Sequence, residues 1–224
     1  MTSRPAQRRI LLTGFEPFER DTVNPSWEVA RAIDGWACEG ARVKAVRLPC
    51  AFGRAIEALD GALAEQPPPV LVVALGLAAG RVDITPERVA INIDDARIAD
   101  NAGRQPIDLP VLAGAPAAYF STLPIKALVR DLRAAGLPAS VSNSAGTFVC
   151  NHVFFALMHR LATRPELAPA RGGFVHLPCL PEQAARQAGL PSLALETQVA
   201  GVRALLRTAL TVRQDVRETG GQLH

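Results

Sequence analysis

The sequence predicts a single α/β domain in which helices cover both faces of a mostly parallel sheet. Short apolar runs alternate with longer segments of helical periodicity along most of the chain. A chain of 224 residues, 49% of them hydrophobic, can bury one sizeable core but not two. No repeat or low-complexity linker divides it. Such alternation favours a parallel sheet, because each helix returns the chain to the same edge.

The strands and helices follow from local pattern. The segments with the length and apolar content of strands are residues 9–13, 42–48, 70–75, 88–93, 139–142 and 173–177. Those with helical periodicity are residues 26–33, 53–63, 121–135, 147–161 and 192–213. The last helix carries an apolar stripe, predicted to pack on the sheet, at Leu195, Val199, Val202, Leu206 and Leu210.

Three further segments carry no regular pattern. The polar chain ends, residues 1–8 and 214–224, are predicted to be flexible parts of the one domain that spans residues 1–224. Residues 94–116, rich in Asp, Gly and Pro, predict a long loop, and long loops in compact domains are often functional.

Charge and apolar runs exclude several classes of protein. The formal net charge is +3, and basic residues are scattered among acidic ones, so no stripe suited to nucleic acid is present. The apolar run near the start is too short for a secretory signal, and residues 70–79 make only about half of a membrane span. The four cysteines form no C-x-x-C pair. We therefore expect a cytoplasmic protein with reduced thiols and no membrane or nucleic-acid partner.

Cys150 is the first candidate for chemistry. Residues 142–151 form a small polar turn between a predicted strand and a predicted helix, and Cys150 falls in the first helical turn. Free backbone N–H groups and the helix dipole there favour a thiolate and could bind an oxyanion. The alternative is a small hydrophobic residue, because Cys150 continues the apolar stripe of Phe154, Leu157 and Leu161.

His176 and Glu87 are the candidate partners of this thiol. His176 lies near the end of a predicted strand that Pro178 terminates, and it could be a base or a hydrogen-bonded core histidine. Glu87 directly precedes a predicted strand, where a carboxylate could orient an imidazole. Its alternative role is an exposed acid paired with Arg88.

The sequence gives weaker support to three other candidate sites: a metal site, a nucleotide site and a serine nucleophile. The loop acids could bind a divalent cation, but they lack EF-hand spacing and are interpreted as solvated groups beside Arg97 and Arg104. The acids and amides concerned are Asp94, Asp95, Asp100 and Asp108, with Asn92 and Asn101. Residues 76–80 match no nucleotide-binding motif, and Ser144 lacks the upstream glycine of a nucleophile elbow, so it is predicted to shape its turn. We expect neither metal nor cofactor.

Motifs in a fixed order carry a family resemblance from about residue 10 to residue 183. They are TGFEPF at 13–18, NPS at 24–26, GRVDITPERVAIN at 80–92, DARIADN at 95–101, YFSTLP at 119–124, SNSAGTFVCN at 142–151, HLP at 176–178 and PEQ at 181–183. Together they resemble the pyroglutamyl peptidase I family, the pyrrolidone-carboxylate peptidases, which are cysteine peptidases.

The resemblance implies site residues and an activity. It implies a catalytic triad of Cys150, His176 and Glu87 that removes an N-terminal pyroglutamyl residue from peptides. It also implies an apolar pocket for the pyroglutamyl ring, with Arg97 near the oxyanion. The pocket residues implied are Phe15, Phe18, Cys50, Ile98, Phe148 and Val149. The implied fold is a three-layer α/β/α sandwich, and the implied assembly is a homotetramer without cofactor.

The sequence departs from the usual family pattern outside the triad. Glu19 and Arg20 stand where two glycines are common, Leu77 where glutamine is common and Ala99 where proline is common. Two other functions remain compatible with these residues. One is a thiol-dependent amidase or hydrolase for another small lactam or acyl group, and the other is a non-catalytic binder of the same fold.

Overall fold

A six-stranded sheet forms the centre of the protein. The structure is a computed structural model and describes residues 8–221. Its strands are β1 (Arg8–Phe15), β2 (Ala37–Cys38), β3 (Ala41–Leu48), β4 (Pro69–Leu77), β5 (Thr85–Pro86) and, later in the chain, β8 (Arg171–Leu177). The order is β2-β3-β1-β4-β8-β5. The four inner strands are parallel, and only the short edge strands β2 and β5 are antiparallel. The predicted α/β class is therefore confirmed.

Helices cover both faces of this sheet. They are α1 (Pro25–Ala32), α2 (Arg54–Ala64), α3 (Ile125–Ala134), α4 (Val149–Thr163), α5 (Pro181–Ala184) and α6 (Leu195–Thr211). Successive residues of a strand point to opposite faces. Accordingly Ile10 and Leu12 of β1 pack with α1, α3 and α6, whereas Leu11 packs with α2 and α4. Two hydrophobic cores result, one on each side of the sheet, which is the arrangement of a three-layer sandwich.

Of the predicted strands, 88–93 is confirmed only in part and 139–142 is wrong. Within 88–93 only β6 (Val89–Ile91) is extended, and it pairs with β7 (Ala118–Phe120) in a separate two-stranded sheet. The backbone of Ile91 also bonds to the side chain of Asn151, a partner that no strand pattern reveals. Residues 139–142 form only single bridges, from Ala139 to Ile84 and from Ser142 to Glu87.

The predicted helices are present with shifted ends. The largest shift is in α3, which begins at Ile125 rather than at residue 121, because Pro124 disfavours helical geometry in the residue before it. In α6 the fully buried side chains include Val202 and Leu206, as predicted, together with Leu205. Leu195, Val199 and Leu210 are only partly buried. The helix α6 packs chiefly against α1 and α3, and not directly on the sheet as predicted. The pattern of the sequence missed the short elements β2, β5, β7 and α5.

The described part of the C-terminal segment lies against α3. Asp215 accepts hydrogen bonds from the backbone N–H groups of Lys126 and Ala127, and Arg88 donates to the carbonyl oxygen of Gly220. Of the ends predicted to be flexible, residues 1–7 and 222–224 lie outside the described residues. Within residues 8–221, no helix is long and apolar enough to cross a membrane.

Candidate active site

The carboxyl ends of β4 and β8 meet at the edge of the sheet where the chemistry-bearing residues collect. Gly76 of β4 is the register partner of His176 in β8, and Thr85 of β5 lies opposite His176 on its other side. Phe174 and His176 are two residues apart in β8, so both side chains point to the face that α4 covers. The ring of Phe174 indeed packs 5.9 Å from that of Phe154 in α4.

His176 and Glu87 form a buried hydrogen-bonded pair. Nδ1 of His176 lies 2.7 Å from Oε1 of Glu87, and the two residues are 4% and 0% exposed. A carboxylate only accepts hydrogen bonds, so Nδ1 carries the proton and Nε2 is left as the basic nitrogen. Glu87 is therefore neither exposed nor paired with Arg88, which excludes its alternative role.

Arg81 is a third member of this cluster, and pattern alone did not single it out. Its Nη1 donates to Oε1 of Glu87 at 2.7 Å and to Oγ1 of Thr85 at 2.5 Å, and its Nη2 donates to the carbonyl oxygen of Ser144 at 3.1 Å. The motif at 80–92 contains Arg81, but only the folded chain shows that the arginine and the imidazole share one carboxylate oxygen.

Cys150 lies at the start of α4, where its sulfur approaches the strand that carries Gly76. Cys150 is the second residue of this helix and is partly buried. A Cβ atom at Gly76 would lie 3.0 Å from Sγ of Cys150 and 2.7 Å from the ring of Phe174. The missing side chain of Gly76 thus makes room for the thiol beside the strand position of His176.

Burial controls the protonation of the cluster. Desolvation, with smaller effects of Cys50 and Glu87, raises the pKa of the Cys150 thiol, and Arg81 opposes this rise. Burial also lowers the pKa of His176, against the opposing effect of Glu87. Burial therefore favours the neutral thiol and the neutral imidazole, which opposes the thiolate that the helix start was expected to favour.

Neighbouring groups favour the ionised form of Glu87 despite its burial. Burial acts to raise the pKa of this carboxyl group, but His176, Ser142 and Arg81 together lower it below its usual value. The contribution of Ser142 is smaller than that of His176, and in the structure the Ser142 hydroxyl donates its hydrogen bond to the carbonyl oxygen of Ser144 at 3.1 Å. Oε2 of Glu87 has no hydrogen-bond partner among residues 8–221, so the stabilisation of the charge is concentrated on Oε1.

The predicted ring pocket is partly assembled by aromatic contacts. The ring of Phe148 lies 5.4 Å from that of Phe18 and 5.3 Å from that of Phe52. Phe52 was not predicted, because nothing in its local sequence distinguishes it from a core residue. Phe15 is buried against Phe174, with ring centroids 6.4 Å apart. Cys50 and Val149 belong to the same hydrophobic core, and burial raises the pKa of Cys50 to about 12.

Arg97 and Ile98 lie on the exposed part of the 94–116 loop. The loop is anchored beside the pocket rather than in it. Asp100 accepts a hydrogen bond from the backbone N–H of Phe52 at 2.7 Å, and the backbone N–H of Asn101 donates to the carbonyl oxygen of Cys50 at 3.1 Å. These bonds hold the loop next to Cys50 and Phe52 and present Arg97 and Ile98 to solvent.

The loop acids are not uniformly solvated, which corrects the prediction for two of them. Asp94 and Asp100 are buried, whereas Asp95 and Asp108 are exposed as expected. Asp94 lies 2.8 Å from Nδ1 of His152, whose Nε2 accepts the backbone N–H of Gly53. Within residues 8–221, His, Cys, Asp and Glu side chains form no group of three that could hold a metal ion.

Two other sequence features have structural explanations. Oγ of Ser144 accepts the backbone N–H of Gly146, so this serine shapes its turn as predicted. Glu19 has a φ angle of 53°, in the left-handed region that glycine adopts more readily. This conformation explains why glycine suits that position in the family pattern.

Open clefts lie elsewhere on the surface. Clefts of about 690 and 730 Å³ adjoin the C-terminal segment at 218–221, and none of the predicted site residues lines them.

The cluster of Cys150, His176 and Glu87 lies at the carboxyl edge of a parallel sheet, where α/β enzymes place their active sites. A thiol at a helix start beside an imidazole and a buried carboxylate is typical of cysteine hydrolases.

Comparisons with known proteins identify the family within this class. The model of the pyroglutamyl peptidase family matches residues 8–212. The chain is 63% identical to a pyrrolidone-carboxylate peptidase of Cupriavidus necator over 97% of this chain and 100% of that protein. It is 52% identical to one of Erwinia tasmaniensis, again over 97% of this chain and 100% of the relative. The chain belongs to the pyroglutamyl peptidase family.

Solved structures of similar proteins support the same family assignment. Pyroglutamyl peptidase I of Bacillus amyloliquefaciens superposes with a TM-score of 0.91 at 40% identity and covers 95% of this chain and 100% of its own. A mutant pyrrolidone carboxyl peptidase of Pyrococcus furiosus superposes with a TM-score of 0.86 at 41% identity, over 90% of this chain and 98% of its own. The fold assignment therefore rests on two distant relatives as well as on the strand order.

Proposed function

We propose that this protein is a pyrrolidone-carboxylate peptidase, a cysteine peptidase that removes an N-terminal pyroglutamyl residue from peptides. The observation that supports this proposal best is the buried hydrogen bond between His176 and Glu87. The sulfur of Cys150 lies next to Gly76, the register partner of His176. The high identity to proteins named for this activity supports the choice of substrate.

The first half of the reaction forms a thioester. Nε2 of His176 takes the proton of the Cys150 thiol as Sγ attacks the carbonyl carbon that follows the ring. The carbonyl electrons move to oxygen, and backbone N–H groups at the start of α4, which have no partner within the helix, stabilise the oxyanion. The imidazolium then gives its proton to the leaving amine as the C–N bond breaks. Glu87 stabilises the imidazolium between these two transfers.

The second half returns the enzyme to its starting state. Nε2 of His176 takes a proton from water, whose oxygen attacks the thioester carbonyl. The C–S bond then breaks, and the proton on His176 returns to the Cys150 sulfur. Free pyroglutamate leaves. No step requires a metal ion or a cofactor, because the thiol is the nucleophile and the imidazole carries every proton.

The pocket provides a physical reason for selecting a lactam. A pyroglutamyl ring is small and neutral, so its methylene groups suit a wall made by Phe18, Phe52 and Phe148. Phe15, Cys50 and Val149 complete the apolar floor, and Ile98 and Arg97 border it from the loop. A free N-terminal ammonium group would lose its hydration there without gaining a partner, and that desolvation cost excludes ordinary N-termini.

We further propose that the protein acts in the cytoplasm as a homotetramer. The four cysteines are unpaired in the structure, as in a reducing compartment. The tetramer follows from the family resemblance. Sedimentation equilibrium would give a mass about four times that of the 23.8 kDa chain, and a monomer at assay concentration would contradict it.

A fluorogenic assay tests the activity directly. The wild-type protein should release aminocoumarin from pyroglutamyl-aminocoumarin but not from the prolyl or glutamyl analogues. Cys150→Ser should abolish the release without changing the thermal unfolding temperature. Turnover of a different lactam or acyl amide, with none of the pyroglutamyl substrate, would identify another thiol amidase. Binding of pyroglutamyl peptides without turnover by the wild-type protein would identify a non-catalytic binder.

A further inference from the structure

Arg81 contacts the oxygen of the Glu87 carboxylate that also binds His176. Oε1 of Glu87 accepts from Nη1 of Arg81 and from Nδ1 of His176, each at 2.7 Å. The same guanidinium is tied to two other segments through Thr85 and the carbonyl oxygen of Ser144. Thr85 is itself the register partner of His176. Arg81 therefore links the acid, the strand beside the imidazole and the turn that leads to Cys150.

We propose that Arg81 is a positioning residue that orients Glu87 toward His176 and sets the pH at which the His176 and Glu87 pair takes up a proton. The inference rests on the proposed function, in which His176 is the base and Glu87 its orienting acid. The proposal adds Arg81 to the three residues of the triad, and it assigns to Arg81 the pH below which activity is lost.

The geometric reason is the burial of Glu87. Its side chain is 0% exposed, whereas the side chain of Arg81 is 27% exposed. A carboxylate without water must obtain its stabilisation from neighbouring groups. Since Oε2 has no partner within residues 8–221, the bonds of Arg81 and His176 to Oε1 hold the carboxyl group in one orientation. Arg81 is the permanently charged group among those that stabilise this carboxylate; without it, His176 and Ser142 remain.

The electrostatic reason concerns the groups that face His176. These are Glu87, Arg81 and, across Gly76, the thiol of Cys150. Burial is the largest cause of the lowered pKa of His176, and the charge of Arg81 adds to it, while Glu87 opposes both. Removing the guanidinium therefore raises the pKa of His176. Since the reaction requires neutral imidazole, activity would then be lost at a higher pH as the solution is acidified.

The test is the pH profile of kcat/KM on the fluorogenic pyroglutamyl amide for four proteins. We expect Arg81→Gln to move the acidic limb upward by about 0.5 to 1 pH unit. Its plateau kcat should fall roughly tenfold, because Glu87 no longer orients the imidazole well. Arg81→Lys keeps the charge and should return the acidic limb to the wild-type position. Its kcat should stay low, because an ammonium group cannot reproduce the forked contacts.

Arg88 offers a matched control next to Glu87 in sequence. Its guanidinium binds Asn143 and the carbonyl oxygen of Gly220 instead of the acid. Arg88→Gln removes the same charge and should keep the wild-type acidic limb. An acidic limb of Arg81→Gln that coincides with the wild type would overturn the proposal. So would an equal shift in Arg88→Gln, or a failure of Arg81→Lys to restore the limb.

A second measurement does not depend on turnover. The chain has four histidines, so ¹³C-histidine NMR in a Cys150→Ser background can follow His176 directly, with His176→Gln for assignment. The titration of His176 should move to higher pH in Arg81→Gln and in Arg81→Met. If the titration midpoint of His176 does not change, or if both Arg81→Gln and Arg81→Met fail to fold, the proposal is overturned and the role of Arg81 is only structural. Activity retained by Cys150→Ser or His176→Gln would instead refute the triad.

Discussion

In the proposed mechanism, Cys150 depends on His176 for its reactivity more than on its position at the start of a helix. The position at the second residue of α4 favours negative charge, yet burial raises the pKa of the thiol. In the reaction we propose, the thiolate therefore forms when the proton passes to Nε2 of His176, in the step that also creates the imidazolium. A raised thiol pKa would slow non-specific oxidation of Cys150, because the thiolate is the reactive form.

Alkylation should report this dependence. We expect iodoacetamide to modify Cys150 first and to inactivate the enzyme, because Cys38, Cys50 and Cys179 are 5%, 7% and 2% exposed whereas Cys150 is partly exposed. His176→Gln should slow the modification by at least about tenfold, since no base then accepts the thiol proton. Peptide mapping by mass spectrometry identifies the labelled residue. Inactivation that follows the labelling of Cys50 or Cys179 would assign the nucleophile elsewhere.

Glu87→Gln should separate charge from shape at the carboxylate. Glutamine keeps the size of the side chain but cannot stabilise the imidazolium, and its amide can hold the wrong tautomer of His176. We expect kcat to fall by about two to four decades with a smaller change in KM, because the loss appears in the transition state. Near-normal kcat combined with a lower unfolding temperature would mean that Glu87 is only a structural partner of Arg81.

At the scale of elements, the start of α4 is a junction for the surrounding segments. Asn151, which is fully buried, bonds through its side chain to the backbone of Ile91 and Ile93. His152 joins Asp94 to the backbone N–H of Gly53. The two residues after Cys150 thus attach β6, the long loop and the start of α2 to the helix that carries Cys150. Their side chains are polar, so helical periodicity gave no sign of this role.

The fit between β4 and α4 predicts a steric effect at Gly76. In Gly76→Ala the new methyl group would lie 3.0 Å from Sγ of Cys150 and 2.7 Å from the ring of Phe174. Overpacking of this kind costs about 1 to 3 kcal/mol of stability. We expect kcat/KM to fall by about 100-fold, because the sulfur is displaced from the imidazole.

Gly61→Ala is the matched control for this variant. Gly61 lies in α2, and a Cβ atom there meets nothing within 4 Å. The same chemical change should therefore leave activity unaltered and raise stability by about 0.5 to 1 kcal/mol. Wild-type kcat/KM in Gly76→Ala would show that the thiol does not need the space above that glycine.

At the scale of the whole molecule, we predict a reaction independent of metal ions. In the proposed mechanism the thiol is the nucleophile and His176 carries the protons, so a chelator should have no metal ion to remove. Dialysis against EDTA should leave kcat and KM unchanged within error, with a zinc peptidase as the positive control for chelation. Activity that falls with EDTA and returns on addition of a divalent ion would direct attention to the acids of the 94–116 loop.

The sequence by itself determined the α/β class, the five longer helices and the residue types of the site. These properties depend on local periodicity and on motifs, which are readable along the chain. It also placed Cys150 at a helix start and predicted a turn-shaping role for Ser144, because both depend on residues within a few positions.

Only the tertiary structure decided which distant residues meet. It paired Glu87 with Arg81 and His176 instead of Arg88, buried Asp94 and Asp100, and divided the predicted 88–93 strand from the central sheet. It also added Phe52 to the aromatic wall and raised the pKa of Cys150. The reason is physical. Burial and side-chain pairing depend on strand order and helix packing. These bring together groups far apart in the chain, such as Glu87 and His176, which are 89 residues apart, whereas sequence patterns record only near neighbours.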